Sequence, residues 1–431
     1  MIEAEIHKVN TLISQNKLSD AILHLGELFQ SFIPAPDKID VLILMGELYV
    51  QLNDLESADK SFTNAYKLQQ KQLGDDDERI FNEALIGFNL GAVKTELHKT
   101  KEALELFKDA SALLDKIHMS DPIITEQKAM CQHEISGRYL EVKDYYLTKK
   151  HAKIALELYA EILDLDQVRY TQPMANCNVI IAESFDNESD LNTAFIYYKK
   201  AVELYEKLSL SDQKIAQPIM AAIYNNMAVT QKQLGFHGKS AEHYQKTLDI
   251  YKELSQENPE EYEPFLAGTF NSIGVLFTDL NYRKKGIKYY EDALKLYQKL
   301  AYDEPELYTH YVATTTHNLG VIYDEMNDYD SAYSYYEKAL DIRRELAKKE
   351  PIAFNMDTSV TILNIVTMYH SRLESEKDLK YKEPALELLQ EAESRLMLAE
   401  SEKPVIKSMK NDLEYFREFF EEIDLKTLLG D

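Results

Sequence analysis

Apolar and small residues recur along this chain in paired helical stripes. In residues 262–302 one stripe runs through Thr269-Phe270-Asn271-Ser272-Ile273-Gly274-Val275-Leu276-Phe277. A second carries Ile287, Tyr290, Ala293, Leu294 and Tyr297 at i, i+3 and i+6/7. Such spacing gathers the apolar residues on one face of a helix. Asn281 and Tyr282 mark a tight turn between the stripes. Asn258-Pro259 opens the first helix, and Asp303-Glu304-Pro305 opens the next unit. Proline suits a first helical turn, where its missing N–H costs no intrahelical bond. The pattern predicts two helices joined by a short turn.

This pair repeats. The small residue near the middle of each first helix falls at Gly91, Ser136, Ala182, Ala228, Gly274 and Gly320, in steps of 45, 46, 46, 46 and 46. One more step of 46 reaches Val366, and a backward step of 45 reaches Gly46. Relative to this marker, position +3 tends to be aromatic, +12 small, +16 aromatic and +19 small. Examples are Tyr323, Ala332, Tyr336 and Ala339, and Phe185, Ala194, Tyr198 and Ala201. Small residues let the two helices of a pair approach closely, and the aromatics fill the space beside them. A fixed period means stacked units, each burying its face against the next.

The spacing, with Leu319-Gly320-Val321-Ile322-Tyr323 as its clearest stretch, resembles the tetratricopeptide repeat (TPR) family. The period is 46 rather than the 34 of the basic repeat, so both helices are expected to be extended, as in the long-helix repeats of kinesin light chains and bacterial regulatory proteins. The resemblance implies an all-α, right-handed solenoid of about nine helix pairs plus a C-terminal capping helix. Some units depart from the pattern. The Ser136 unit has Thr148, Ala152 and Ala155 and lacks the second aromatic, the Ala228 unit has Gln231 and Ser240, and the Gly91 unit has Lys94 at +3. The Val366 unit fits with about seven extra residues around Glu374–Lys382, and a first unit centres near Val9 with Ala21 and Leu25. The expected organisation is an atypical N-terminal pair over 1–36, a repeat array over 37–402 and a capping helix over 403–431. In that last helix Ile406, Met409, Leu413, Phe416, Phe420 and Ile423 share a face. The plain reading makes it a cover for the final repeat; the sharper one makes it a docking helix.

Charge narrows the partners. With 48 Lys+Arg against 74 Asp+Glu, the net charge is −26, which opposes nucleic acid and anionic membranes and favours basic partners. Two cysteines, Cys131 and Cys177, make no disulfide framework. The start Met1-Ile2-Glu3-Ala4-Glu5 lacks a signal peptide's basic, then apolar pattern, so a cytoplasmic location is expected. Because repeats begin at the first residues, no effector module is expected ahead of them.

Candidate chemistry is sparse. Gly238-Lys239-Ser240 resembles the end of a phosphate-binding loop, but the required glycine five residues earlier is Gln233. No His-Glu-x-x-His and no i, i+4 His pair supports a zinc site. Cys131 and His133 read as a core cysteine beside a groove-facing histidine, and His310 and His317 stand two turns apart. No nucleophile elbow or dinucleotide-binding glycine pattern is present. The expectation is a protein that is not an enzyme and takes no cofactor or metal. Tyr197-Tyr198, Tyr289-Tyr290 and Tyr335-Tyr336 read as one core ring and one seam ring each.

The family resemblance implies that first helices line a concave surface through offsets −6, −3, −2, +1, +4 and +5. Over the units from Gly46 to Val366 these collect Asp40, Glu47, Glu96, Glu134, Glu141, Glu183, Asp186, Asp279, Asp324 and Glu325, against one base, Lys232. The same offsets collect Asn89, Asn176, Asn187, Asn225, Asn226, Asn271, Asn318 and Asn364. An Asn amide donates and accepts, so such rows can hold the backbone of an extended peptide or tie neighbouring helices together. The expected partner face therefore comprises Asn89, Glu96, Glu183, Asp186, Asn225, Asn226, Asn271, Asp279, Asn318, Asp324, Glu325 and Asn364. The leading functional reading is a protein-interaction scaffold or adaptor for a basic or neutral segment. The alternative is a peptide-sensing regulator that changes superhelical pitch. Self-association through the terminal repeats is the other contact an array allows.

Overall fold

The computed structural model describes residues 2–74, 76–208, 210–397 and 404–424. Of the predicted segments, residues 1, 75, 209, 398–403 and 425–431 lie outside the described residues, among them both ends of the predicted 403–431 cap. The described chain is all-α, with nineteen helices, two short 3-10 turns and no strand. Contacts divide it into two compact units, one ending at Leu234 and the other beginning at Gly235.

In the first unit the helices are α1 (Ile2–Ser14), α2 (Leu18–Gln30), α3 (Ala35–Gln51), α4 (Leu55–Gln69), α5 (Asp77–Glu96), α6 (Thr100–Leu114), α7 (Pro122–Glu141), α8 (Tyr145–Ile162), α9 (Gln167–Asn187), α10 (Leu191–Tyr205) and α11 (Leu210–Gln233). The second holds α12 (His237–Glu257), α13 (Pro259–Asp279), α14 (Arg283–Asp303), α15 (Pro305–Asp324), α16 (Tyr329–Lys349), α17 (Pro351–Glu376), α18 (Lys382–Leu396) and α19 (Pro404–Glu422). Within each unit every helix packs on its sequence neighbours, and alternate helices also touch, as α5 does α7, α7 does α9 and α15 does α17.

In four of the eight marked pairs one contact underlies the period. A Cβ built on Gly46, Gly91, Gly274 or Gly320 would lie 2.7, 2.8, 2.7 or 2.6 Å from the ring of Phe62, Phe107, Tyr290 or Tyr336, the +16 residue of the same pair. Each of those rings is buried. The +12 and +19 alanines, such as Ala58, Ala65, Ala332 and Ala339, are fully buried between the helices. A second contact closes the seam: the +3 aromatic stacks on the +15 tyrosine, with centroids 5.8 Å apart for Phe185–Tyr197, 5.5 Å for Phe277–Tyr289 and 5.4 Å for Tyr323–Tyr335. One tyrosine of each doublet is thus core and the other seam. In the Gly91 unit, Lys94 replaces the aromatic and bridges Asp59 and Glu102 at 3.0 and 2.9 Å.

The turns repeat as strictly as the helices. Asn53, His98, Lys143, Ser189, Gly235, Asn281 and Asn327, each at +7, have positive φ, and Asn16 does the same after α1. The next residue's N–H returns to the +3 carbonyl, as from Asp54 to Tyr49 (2.9 Å), Asp190 to Phe185 (2.9 Å) and Tyr282 to Phe277 (2.8 Å). This is the left-handed closure that satisfies helix-end carbonyls. Asp54, Asp144, Asp190 and Asp328 then cap the second helix through the backbone N–H of Ser57, Leu147, Thr193 and Ser331.

The expectation that both helices are extended holds only in part. Helices α12, α14 and α16 have 21 residues, and one residue separates each from a proline-led first helix. Helices α4, α6 and α10 have only 15, and the same period is completed by linkers at 70–76, 115–121 and 206–209. In the Val366 unit α17 runs on to Glu376, and Lys377 takes the left-handed turn. With that insertion Ala385, Leu389 and Ala392 occupy the core positions. On α19, Ile406, Met409, Leu413 and Phe420 are buried, as is Ile423 just past its end, and Phe416 packs on the same cluster as Leu389 and Leu396. The Lys382 ammonium donates to the carbonyls of Glu421 and Ile423 at 3.0 and 2.9 Å and so completes the end of α19.

Gly320→Ala and Gly137→Ala separate packing from propensity. Alanine gains about 1 kcal/mol of helix propensity over glycine. At Gly320 the Tyr336 ring stands in the way, and overpacking costs about 1–3 kcal/mol; at Gly137 nothing lies within 4 Å. Urea unfolding is expected to show destabilisation by Gly320→Ala and stabilisation by Gly137→Ala. Equal midpoints would refute the ring contact as the origin of the marker.

Candidate functional site

The marker residue faces its own second helix, so offsets from −6 to +5 at helical spacing bring a separate face of each first helix to the surface. At these positions Asn89, Glu183, Asp186, Asn225, Asn226, Asn271, Asn318, Asp324 and Asn364 are half-buried, while Glu96, Asp279 and Glu325 are exposed.

In the first unit, Asn89 and Glu96 of α5 meet Glu47 of α3 around a recess of about 550 Å³ whose floor is the Phe62 ring. Glu47 stands outside the expected set of twelve, although offset +1 identifies it. A second recess, of about 360 Å³, is lined by His133, Glu134 and Met130 of α7 with Tyr159 and Tyr170. Arg169 pairs there with Glu126, which also accepts a bond from the Tyr170 hydroxyl at 3.2 Å. Extending the offsets to −10 and −13, further toward the helix start, would have found this pair. On α9, Asp186 Oδ1 is buried without a hydrogen-bond partner. On α11, the Asn226 side chain meets the Tyr198 phenol, whose titration is pushed up by burial and by Glu183 and Asp186.

In the second unit the asparagines link neighbouring first helices. Asn318 Nδ2 of α15 donates to Asn271 Oδ1 of α13 at 3.4 Å. One repeat later Asn364 Nδ2 of α17 lies 3.2 Å from His317 Nε2 of α15. Asp324 accepts from the Tyr336 hydroxyl at 3.4 Å, and Glu325 pairs with Arg283 at 3.3 Å. Asp279 ends α13. The structure therefore brings Asn271 to Asn318 and Asn364 to His317, and it occupies part of their hydrogen-bonding capacity inside the fold.

Electrostatically the face is strained in one direction. Burial raises the carboxyls of Asp40, Glu47, Glu134, Glu183, Asp186 and Asp324 above the usual range. Neighbouring acids add to this for Asp40 (Asp37), Glu134 (Glu141 and Glu96), Glu183 (Asp186) and Asp324 (Glu325). Arg138 pulls Glu134 back and the Tyr336 hydrogen bond does so for Asp324. Burial and a neighbouring arginine drive His133 down to about 4 and His317 to about 3, so both rings are neutral at neutral pH. A neutral, buried His317 was not foreseen from its i, i+7 relation to His310. Its core contacts are the Tyr336 ring, with centroids 5.4 Å apart, and Asn364.

Other chemistry does not assemble. Gly238-Lys239-Ser240 lies in the first turn of α12, and no strand precedes it among the described residues. Cys131 and Cys177 are buried free thiols pushed up to about 12 by burial and by Glu134, so neither is a nucleophile at neutral pH. Among the described residues no group of His, Cys, Asp or Glu is arranged to hold a metal ion, and no helix is long and apolar enough to cross a membrane.

Within each unit these helix pairs, turned and packed in one register, stack as the repeats of an α-helical solenoid fold. The repeats at residues 39–72 and 265–345 match the models of the tetratricopeptide repeat family. Among solved structures, the apo form of RapI is similar over 91% of this chain and 97% of its own, with a TM-score of 0.59 and 14% identity. Aspartyl phosphate phosphatase F from Bacillus subtilis is similar over 95% of this chain and 94% of its own, with a TM-score of 0.51 and 14% identity. At that identity the likeness speaks for the fold. No curated protein sequence matches the chain.

His317 supplies a pH signature. Its folded pKa lies below the unfolded value of 6.5, so the unfolded state binds the extra proton, and stability falls as pH drops from about 6.5 towards about 3. One pKa unit corresponds to about 1.4 kcal/mol. His317→Gln is expected to remove about 2 kcal/mol of the loss between pH 6.5 and 4.5, read from urea midpoints at the two pH values. Parallel pH profiles for the two proteins would refute the neutral, buried imidazole.

Proposed function

We propose that this chain is a non-catalytic interaction scaffold that binds a basic or neutral segment of a partner along the first-helix faces of its repeats. The observation that carries the reading is electrostatic. Ten carboxylates share the groove offsets with the single base Lys232, and burial raises six of them. A carboxylate destabilised by desolvation gains most from an incoming cation. Acidic side chains would steer and select the partner. The asparagines would hold its backbone with the capacity left over from their interhelical bonds. A cytoplasmic setting and indifference to nucleic acid and lipid belong to the same reading.

Two charge-reversal variants test it, Glu183→Lys/Asp186→Lys in the first unit and Asp324→Lys/Glu325→Lys in the second. In a pull-down from source lysate at low and high salt, the wild-type chain is expected to capture basic segments at low salt and release them at high salt. At least one variant should lose tenfold or more in affinity and part of its salt dependence. Unchanged affinity in both would sink the acidic-groove reading. Small-angle scattering on the complex reads out the alternative: a changed radius of gyration identifies a peptide-sensing regulator, and an unchanged one a static scaffold. The fold shared with a phosphatase sets the control. Incubation with acetyl phosphate and with a phosphorylated aspartate protein is expected to give no hydrolysis above buffer, and sustained turnover would replace the scaffold reading with a catalytic one.

A further inference from the structure

The recess between α3 and α5 has no cation in its lining. Elsewhere in the first unit, Lys94 bridges Asp59 and Glu102, Arg138 meets Glu141 at 3.0 Å, and Arg169 meets Glu126. Glu47 and Glu96 rim the recess, and neither makes a hydrogen bond or ion pair within the described residues. Val50, Leu55 and Ala92 supply its accessible apolar lining, Gln51, Asn53 and Asn89 its polar lining, and the buried Phe62 and Val93 lie at its base. Helices α3 and α5 both end at it, at Gln51 and Glu96, and helix C-termini carry partial negative charge. Two carboxylates and two dipole ends thus point to the same sign of ligand. The volume, about 550 Å³, falls in the range of about 300–1,000 Å³ that ligand pockets occupy.

We propose that this recess receives one lysine or arginine side chain of the partner segment, its aliphatic stem lying on Val50, Leu55 and Ala92 and its charge held between Glu47 and Glu96. The proposal rests on the groove reading above and gives it a specific anchoring residue. Long cationic side chains bury their stems while keeping the head polar. An acidic side chain would meet like charge here, and an apolar one would desolvate two carboxylates without neutralising them.

The test uses the full chain with methyl-labelled valines, so that Val50 and Val93 report from inside the recess. The probes are N-acetyl-arginine methylamide and its citrulline counterpart, which has the same shape without the charge. The arginine probe is expected to shift both methyl signals saturably and to bind at least fivefold more tightly than citrulline. Glu47→Gln/Glu96→Gln should cut that binding at least fivefold with an unchanged melting curve. If the double variant melts early, Glu96→Gln alone, at an exposed position, serves in its place. Equal shifts from both probes, or undiminished binding in the variant, overturns the proposal. If the Glu47/Glu96 variant binds both the probe and a captured basic partner as before, the subsite fails and the groove reading stands. If the arginine probe binds here but the charge reversals at Glu183/Asp186 and Asp324/Glu325 leave partner binding untouched, the groove reading fails and the subsite stands.

Discussion

The contact of an aromatic ring with a bare helix backbone sets the packing of the four glycine-marked pairs, and Ser136, Ala182, Ala228 and Val366 stand at the same place in the others. Gly46, Gly91, Gly274 and Gly320 have no Cβ, so the ring sixteen residues on can lie directly against the first helix. That closeness sets the separation of the two helices, and the buried alanines at +12 and +19 maintain it. It also fixes which way the first helix is rotated, and hence which residues reach the surface. The acidic and amide positions of the candidate face follow from a packing constraint on the opposite side of the same helix.

Much of this was legible in the sequence because it depends on residue size at fixed spacing. The markers, the +12, +16 and +19 positions, and the division of Tyr197-Tyr198, Tyr289-Tyr290 and Tyr335-Tyr336 into seam and core are all matters of volume and period. The left-handed turn was harder to see. Its position recurs at +7, but the residues there are Asn, His, Lys, Ser and Gly. The bond pattern, rather than residue identity, holds that conformation, so only Asn281 gave a hint. Helix length was misjudged for a related reason. A period counts residues without saying whether they are helix or linker, and α4, α6 and α10 stop six residues short of α12, α14 and α16.

The candidate site was legible as a list and illegible as a geometry. Offsets could collect Asn271, Asn318 and Asn364, but not show that Asn318 bonds Asn271 and that Asn364 bonds His317. Those pairings join residues 47 apart, one more than the period, because they run from offset −3 of one helix to −2 of the next. The offsets likewise gave Glu47, Asn89 and Glu96 without the recess between them, since a concavity depends on what is missing between two helices as much as on what lines it. Glu325 shows the opposite case: it shares its offset with Glu96, yet Arg283 partners it.

The turn geometry bears on how a chain of this kind acquires its length. Each turn closes through a bond between residues five apart, and each ring packs against its own partner helix. Most of what specifies a pair is therefore contained within the pair. The seam between one second helix and the following first helix, and the bonds between neighbouring first helices such as Asn318 to Asn271, are what must match. A block of 46 residues copied in register brings its own turn, its own ring contact and its own surface positions, and leaves the earlier blocks unaltered. The array can thus be lengthened by duplication, and each copy is afterwards free to alter the few side chains at its groove offsets. The departures at Lys94 and Thr148 are what such independent editing would leave behind.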